Sequence, residues 1–237
     1  MTERLVLFDI DGTILLTAGA GRRAVTRAVA EIVPLTDAAH QVRFDGKTDP
    51  LIVRELLEAS DHPTPRDPAL IAAVCEGYVA YLEEELARSR DTRVLPGVVA
   101  LLEALEQEPG VTLGLLTGNV VRGARLKLTS GGIDPDRFAV GAYGSDSHHR
   151  PDLPAIAAHR AAPLFGRVPT GPEVVIIGDT PADVTCGAGI GARPVAVATG
   201  SYREDQLRAA GAAAVFTDLS DTPCVVEAIL WATSNSN

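Results

Sequence analysis

Aromatic residues are scarce in this chain, with one Trp, four Tyr and five Phe among 237 residues. An interior with so few large rings has to be filled by Ala, Val, Leu and Ile. Hydrophobic residues at 46% supply enough of them for one large domain, or for a core carrying a smaller insert. Positive charge is also short: 21 Lys and Arg stand against 31 Asp and Glu, a formal net charge of -10. With no Lys/Arg cluster to offset it, that balance argues against nucleic acid and anionic membranes as partners. Cysteine occurs only at Cys75, Cys186 and Cys224, an odd number without a CxxC pair. This suits reduced core thiols rather than a disulfide frame or a zinc site. There is no uninterrupted apolar run of ~18 residues to span a bilayer. Met1-Thr2-Glu3-Arg4 leads straight into an apolar segment, so no signal peptide is expected. The chain therefore reads as soluble and cytoplasmic. It has no repeat or low-complexity tract, and only Ser234–Asn237 read as disordered.

What is present concentrates near the start. In Leu5-Val6-Leu7-Phe8-Asp9-Ile10-Asp11-Gly12-Thr13-Ile14 an apolar run drives into two acids one residue apart, followed at once by glycine and threonine. The run is short and continuous, as a buried parallel strand is. Ligands of open α/β sheets sit beyond the carboxyl ends of such strands, so a carboxylate placed there faces a crevice. Gly12 allows a sharp turn and close approach of a ligand to the backbone.

From about residue 94 the pattern alternates. Strands are expected at Val111–Leu116, Phe138–Val140, Glu173–Ile177, Pro194–Ala198 and Ala213–Phe216. Helices are expected at Val120–Thr129, Leu153–Phe165, Pro181–Gly189 and Thr222–Thr233. This alternation predicts an α/β fold, a mostly parallel Rossmann-like sheet flanked by helices. Residues 16–93 differ: Arg22–Val33, Pro50–Ser60 and Asp67–Ser89 read as helices, with no strand among them. That is far more chain than one crossover needs. It is expected to be an inserted α-helical cap domain, with residues 1–15 and 94–237 forming the core. Gly19-Ala20-Gly21 is a candidate hinge, since a lid must move to admit substrate and exclude water.

Further polar sets follow the strands. Leu115-Leu116-Thr117-Gly118-Asn119 brings a hydroxyl and an amide to a strand end, and Ile177-Gly178-Asp179-Thr180-Pro181-Ala182-Asp183 brings two carboxylates. His148-His149-Arg150-Pro151-Asp152 supplies a cation before a helix. Any one of these has an ordinary structural use. Together they lie on one edge of one sheet, which such uses do not require.

These residues resemble the haloacid dehalogenase-like hydrolases. Asp9-Ile10-Asp11-Gly12-Thr13 matches the family's first motif, Thr117-Gly118-Asn119 its second and Gly178-Asp179-Thr180-Pro181-Ala182-Asp183 its fourth. The helical insert falls where the family's commonest cap falls, and the likeness, which covers nearly the whole chain, is nearest to the phosphoglycolate-phosphatase-like branch. The third motif departs from the pattern: the family's usual lysine before proline is here Arg150, a bulkier and forked cation.

The resemblance implies a Mg²⁺-dependent phosphatase that hydrolyses a small-molecule phosphate monoester through an aspartyl-phosphate. Asp9 would be the nucleophile. Asp11 would protonate the leaving oxygen and then deprotonate the attacking water. Thr117, the backbone at Gly118, Asn119 and Arg150 would hold the phosphoryl group. The metal would be held by Asp9, Asp11 through its backbone carbonyl, and Asp179, with Asp183 orienting. Simple electrostatics supports this, because like charges ~4 Å apart repel by ~4 kcal/mol at an effective dielectric of ~20. Asp9, Asp11, Asp179 and Asp183 in one crevice therefore call for a cation, and an all-oxygen set favours Mg²⁺.

The family's dehalogenases lack the acid two residues after the nucleophile, because halide needs no proton to leave; Asp11 argues against that activity. A phosphosugar mutase keeps all the core acids and stays open as an alternative, as does a non-enzymatic phosphometabolite-binding protein. Phe44, Lys47 and Asp49, in the polar loop Arg43–Pro50 of the insert, are candidates for reading the organic part of the substrate. His148 and His149 suit a solvated loop rather than a metal pair. Gly187–Gly191 follows a helix rather than opening one, so it ends that helix instead of forming a dinucleotide loop. Substrate identity and oligomeric state are not legible at this level.

Overall fold

The computed structural model describes residues 3–89 and 91–230. The expectations for the N-terminal residues Met1 and Thr2, for the last turn of the final helix and for Ser234–Asn237 lie outside the described residues.

Strand β1 (Arg4–Phe8) is buried along its whole length and lies inside a six-stranded sheet. The other members are β4 (Val111–Thr117), β5 (Val140–Tyr143), β6 (Val174–Gly178), β7 (Arg193–Val197) and β8 (Ala214–Phe216). Their order is β5-β4-β1-β6-β7-β8, and every pairing is parallel. The α/β expectation is met. The strand order reverses around β1, with β4 on one side and β6 on the other, which makes the topological switch point where such sheets open a crevice.

Alternate side chains of β1 serve two cores. Val6 and Phe8 join one with Leu101 and Leu105 of α5 (Val98–Gln107), Leu128 of α6 (Val121–Ser130) and Ile229 of α10 (Thr222–Leu230). Leu5 and Leu7 join the other, against Leu153, Ala157 and Ala161 of α7 (Leu153–Phe165). Each such aliphatic side chain contributes about 1.5–3 kcal/mol by its burial. The remaining core helices are α8 (Pro181–Cys186) and α9 (Glu204–Ala209).

Between β1 and β4 the chain forms α1 (Ala20–Ala30), α2 (Asp37–His40), α3 (Asp49–Ala59) and α4 (Pro68–Arg88). These helices enclose an apolar cluster of their own, built from Ala24, Val29, Val53, Leu57, Val79 and Leu82 among others. The expectation of no strand in this region needs correcting at its edge. Leu15–Leu16 (β2) and Arg93–Val94 (β3) pair antiparallel as a two-residue ribbon, too short to show an alternation in sequence.

Other boundaries move slightly. The strand expected at Phe138–Val140 runs instead from Val140 to Tyr143. Helix α8 stops at Cys186, and Gly187–Ile190 continues as a 3₁₀ turn, so the glycines do end the helix. Helices α2, α5 and α9 had no counterpart in the alternation pattern. Cys75 and Cys186 are buried free thiols as expected, but Cys224 is exposed on the first turn of α10.

Candidate active site

Each strand near the switch point ends in chemistry. Asp9 follows the last residue of β1, Thr117 closes β4 and Asp179 follows the last residue of β6. Thr117 is fully enclosed, and Asp9, Asp179 and Asp183 are also buried. Gly12 turns the chain back with a φ of 85°, and a Cβ there would stand 2.4 Å from Asp179 Oδ2. Only glycine provides both that backbone angle and that space.

Carboxylate oxygens of Asp9, Asp179 and Asp183 lie within 4.8 Å of one another. Arg150, itself buried, answers part of this charge: its Nη2 donates to Asp9 Oδ1 at 3.1 Å and to Asp183 Oδ1. Asp183 is at the third position of α8, where Oδ2 accepts from Thr180 N at 3.0 Å and from Thr180 Oγ1 at 2.6 Å. Both oxygens of Asp183 are thus committed to protein groups. Asp179 is more open to a ligand, with Thr13 Oγ1 at 3.4 Å from its Oδ1.

Burial pushes the Asp9 carboxyl up to about 7; Arg150 opposes the shift, while Asp183 and Asp11 add to it. Burial, with the charges of Asp183 and Asp9, also holds Asp179 well above the usual carboxylate range. At Arg150 burial works against the cation, but Asp183 and Asp9 outweigh it and raise its pKa. One guanidinium among three buried carboxylates leaves negative charge uncompensated. A hard, oxygen-seeking divalent cation such as Mg²⁺ fits that donor set.

The side chain of Asp11 stands apart from the cluster of Asp9, Asp179 and Asp183. Lys127 Nζ donates to both Asp11 oxygens, at 2.8 and 2.7 Å, and Asn119 Nδ2 donates to Oδ2 at 2.8 Å. Its carboxylate is therefore turned to protein donors, which leaves only its backbone carbonyl for a metal. Asn119 Nδ2 also reaches Thr117 Oγ1 at 2.8 Å, while Asn119 Oδ1 is buried without a hydrogen-bond partner. Lys127 had no place among the expected site residues. Its signal is faint: of the three cations on α6 it is the one that shares the buried stripe of Gly123, Ala124 and Leu128.

The loop before α3 closes the crevice from above. Asp49 N donates to Gly118 O at 2.7 Å, Val120 N donates to Asp49 Oδ2 at 2.8 Å, and Thr48 Oγ1 donates to His148 O at 2.9 Å. A Cβ on Gly118 would come within 2.1 Å of Lys47 O. Burial pushes Asp49 up to about 6, against the pull of Lys127. The enclosed space is about 340 Å³, and Asp9, Asp11, Lys127, Phe44, Lys47 and Tyr78 are among its walls. A larger cavity of about 540 Å³ between α3, α4 and the chain at 144–148 contains none of the clustered acids.

Two candidate substrate readers are already engaged. Lys47 forms an ion pair with Glu55, and Arg22 lies 3.7 Å over the Phe44 ring. His149 sits exposed, with Nδ1 3.1 Å from Asp152 Oδ1.

A parallel sheet that brings buried acids to its switch point places them where open α/β sheets take their ligands. The chain belongs to the haloacid dehalogenase-like hydrolases, whose family profile matches residues 3–191. It is 29% identical over 223 residues to a phosphoglycolate phosphatase of Rhodospirillum rubrum, covering 92% of this chain and 88% of that one. It is 26% identical over 226 residues to a phosphoglycolate phosphatase of Haemophilus influenzae, covering 92% and 95%. Among solved structures, β-phosphoglucomutase of Clostridium difficile superposes with a TM-score of 0.72 at 18% identity, covering 97% of each chain. At that identity the likeness concerns the fold alone.

Proposed function

We propose that the protein is a Mg²⁺-dependent phosphatase that hydrolyses a small phosphate monoester through an aspartyl-phosphate on Asp9. The observation that carries this reading is the separation of two acids that stand two residues apart. Asp9 is buried in the carboxylate cluster on Arg150, whereas Asp11 is held by Lys127 and Asn119 and is 43% exposed. That separation supports attack by the first and proton handling by the second.

In this scheme Asp9 attacks phosphorus as the ester P–O bond breaks, and the proton of Asp11 passes to the departing oxygen. Asp11 then takes a proton from the water that releases phosphate. Arg150, Thr117 and the backbone at Gly118 hold phosphoryl oxygens while charge redistributes. Asn119 offers its unpartnered Oδ1 to a hydroxyl of substrate or water. Asp9, the Asp11 carbonyl and Asp179 would hold Mg²⁺, with Asp183 orienting Arg150; when bound, the ion lets the anionic ester approach anionic Asp9.

The helices between β2 and β3 act as the cap, and the contacts of Asp49 with Gly118 and Val120 represent its closed position. The two named relatives and the small crevice support an acidic, phosphoglycolate-like substrate. A cytoplasmic location is part of the same proposal. It is supported by the free thiols and by the lack, among described residues, of a helix long and apolar enough to cross a membrane.

The test is release of inorganic phosphate from a panel of small phosphate esters with Mg²⁺. Asp9→Asn keeps the shape of the side chain and removes the attacking charge, so release should fall to background. Retained turnover in that variant overturns the covalent scheme. Conversion of glucose 1-phosphate to glucose 6-phosphate without phosphate release would favour the mutase reading instead.

A further inference from the structure

Lys127 is an uncommon residue to find enclosed by protein, with its side chain 5% exposed, yet its partner Asp11 is 43% exposed. The pair therefore does not exist to make burial of Asp11 tolerable, since water could serve that carboxylate. Replacing a buried ion pair by apolar groups is often neutral or stabilising, so the fold alone gives little reason for a charge here. Gly21 of α1 faces the ammonium closely: a Cβ there would stand 3.3 Å from Lys127 Nζ. With Asn119, the lysine contacts Asp11 through three hydrogen bonds of 2.7–2.8 Å.

Resting on the phosphatase reading above, we propose that Lys127 is the positioning residue for the proton-transferring acid: it holds the Asp11 carboxyl toward the leaving oxygen and acts on the reaction only through Asp11. When Asp11 carries a proton on one oxygen, Lys127 and Asn119 stay on the other. The proton then passes to the ester oxygen as the P–O bond breaks and Asp9 bonds to phosphorus. In the second half Asp11 takes a proton from the attacking water. Lys127 keeps its own protons throughout. A well-placed acid or base contributes about 10²–10⁴-fold, and it matters most when the leaving oxygen is strongly basic.

The experiment compares Lys127→Met with the parent on a small alkyl phosphate and on p-nitrophenyl phosphate, whose leaving group needs little protonation. Turnover of the alkyl ester should fall by about 30–100-fold and that of the aryl ester by less than about fivefold. Lys127→Arg should restore part of the alkyl rate. In an Asp11→Asn background, Lys127→Met should cost nothing further on the alkyl ester. Equal losses on both esters, or an undiminished loss in the Asp11→Asn background, overturn the proposal. If Lys127→Met does not fold, as judged by circular dichroism, the same comparison with Lys127→Gln decides. A parent protein that releases phosphate from neither ester defeats the phosphatase reading itself, whereas the variant outcomes bear on Lys127 alone.

Discussion

Arg150 shows how much one atom decides. Its contacts with Asp9 and Asp183 leave from a single nitrogen, Nη2, which also lies 3.5 Å from Leu116 O, while its Nε is buried without a partner. The fork that distinguishes arginine from lysine is not used on these carboxylates. The departure from the family's lysine is chemically small for that reason. Arg150→Lys should keep phosphate release within about tenfold of the parent, whereas Arg150→Met should lose more than about 100-fold, as removal of a preorganised charge does. Urea denaturation at neutral pH should also show Arg150→Met less stable by about 3–5 kcal/mol, the range for breaking a buried pair. Equal activities of the two variants would show that the charge is not what matters. Asp9, Thr117 and Asp179 were legible because apolar runs locate strand ends and strand ends locate them. Lys127 was not, because its partner Asp11 lies across the fold and nothing local marks the pairing. Lys47 does line the crevice, but what the sequence does not display is that Glu55, eight residues on in α3, pairs with it.

At the scale of elements, the start of α3 bears on both chemistry and stability. Asp49 is buried there and accepts from Val120 N at the opening of α6, with its carboxyl pushed up to about 6 from 3.8. The folded state thus holds this proton at pH values where the unfolded chain has released it. Folding stability falls as pH rises from about 4 to about 6, and the penalty persists above. Asp49→Asn retains an oxygen for Val120 N without the buried charge. Thermal unfolding should show it more stable than the parent at pH 8, by up to about 2–3 kcal/mol, with no such gain at pH 4. A gain that is independent of pH would assign the effect to something other than ionisation. Strands β1, β4 and β6 were readable from composition because parallel strands buried on both faces are continuously apolar. The ribbon of β2 and β3 was not: two residues cannot display a period, and its pairing joins Leu15 to Val94 across the whole helical segment.

For the whole molecule the cluster of acids sets the response to metal. Without a divalent ion, Asp9 and Asp179 both carry raised pKa values caused chiefly by burial. Their contribution lowers stability as pH rises from the unfolded value of 3.8 through about 7 for Asp9. Mg²⁺ that binds only the folded state at about 100 times its dissociation constant adds about 2.7 kcal/mol. Thermal unfolding with Mg²⁺ and with EDTA should therefore differ more at pH 8 than at pH 5. Asp179→Asn should shrink the difference, and an equal shift in that variant would show that the ion binds elsewhere.

The position of β1 in the sheet also bears on how the protein can be made. The strand that carries Asp9 is the first in the chain, but its hydrogen-bonding neighbours are residues 111–115 and 174–177. At a synthesis rate of about 5–20 residues per second, β1 waits roughly ten to thirty seconds at the ribosome for its second neighbour. The helices that follow it carry an apolar cluster built from residues 20–82, all made before β4. Once β4 is made, β1 has one neighbour available, while its other side stays an open apolar edge until β6 follows. Contacts this distant in sequence are slow to form. A chain halted before β6 would leave that edge open to other copies of itself.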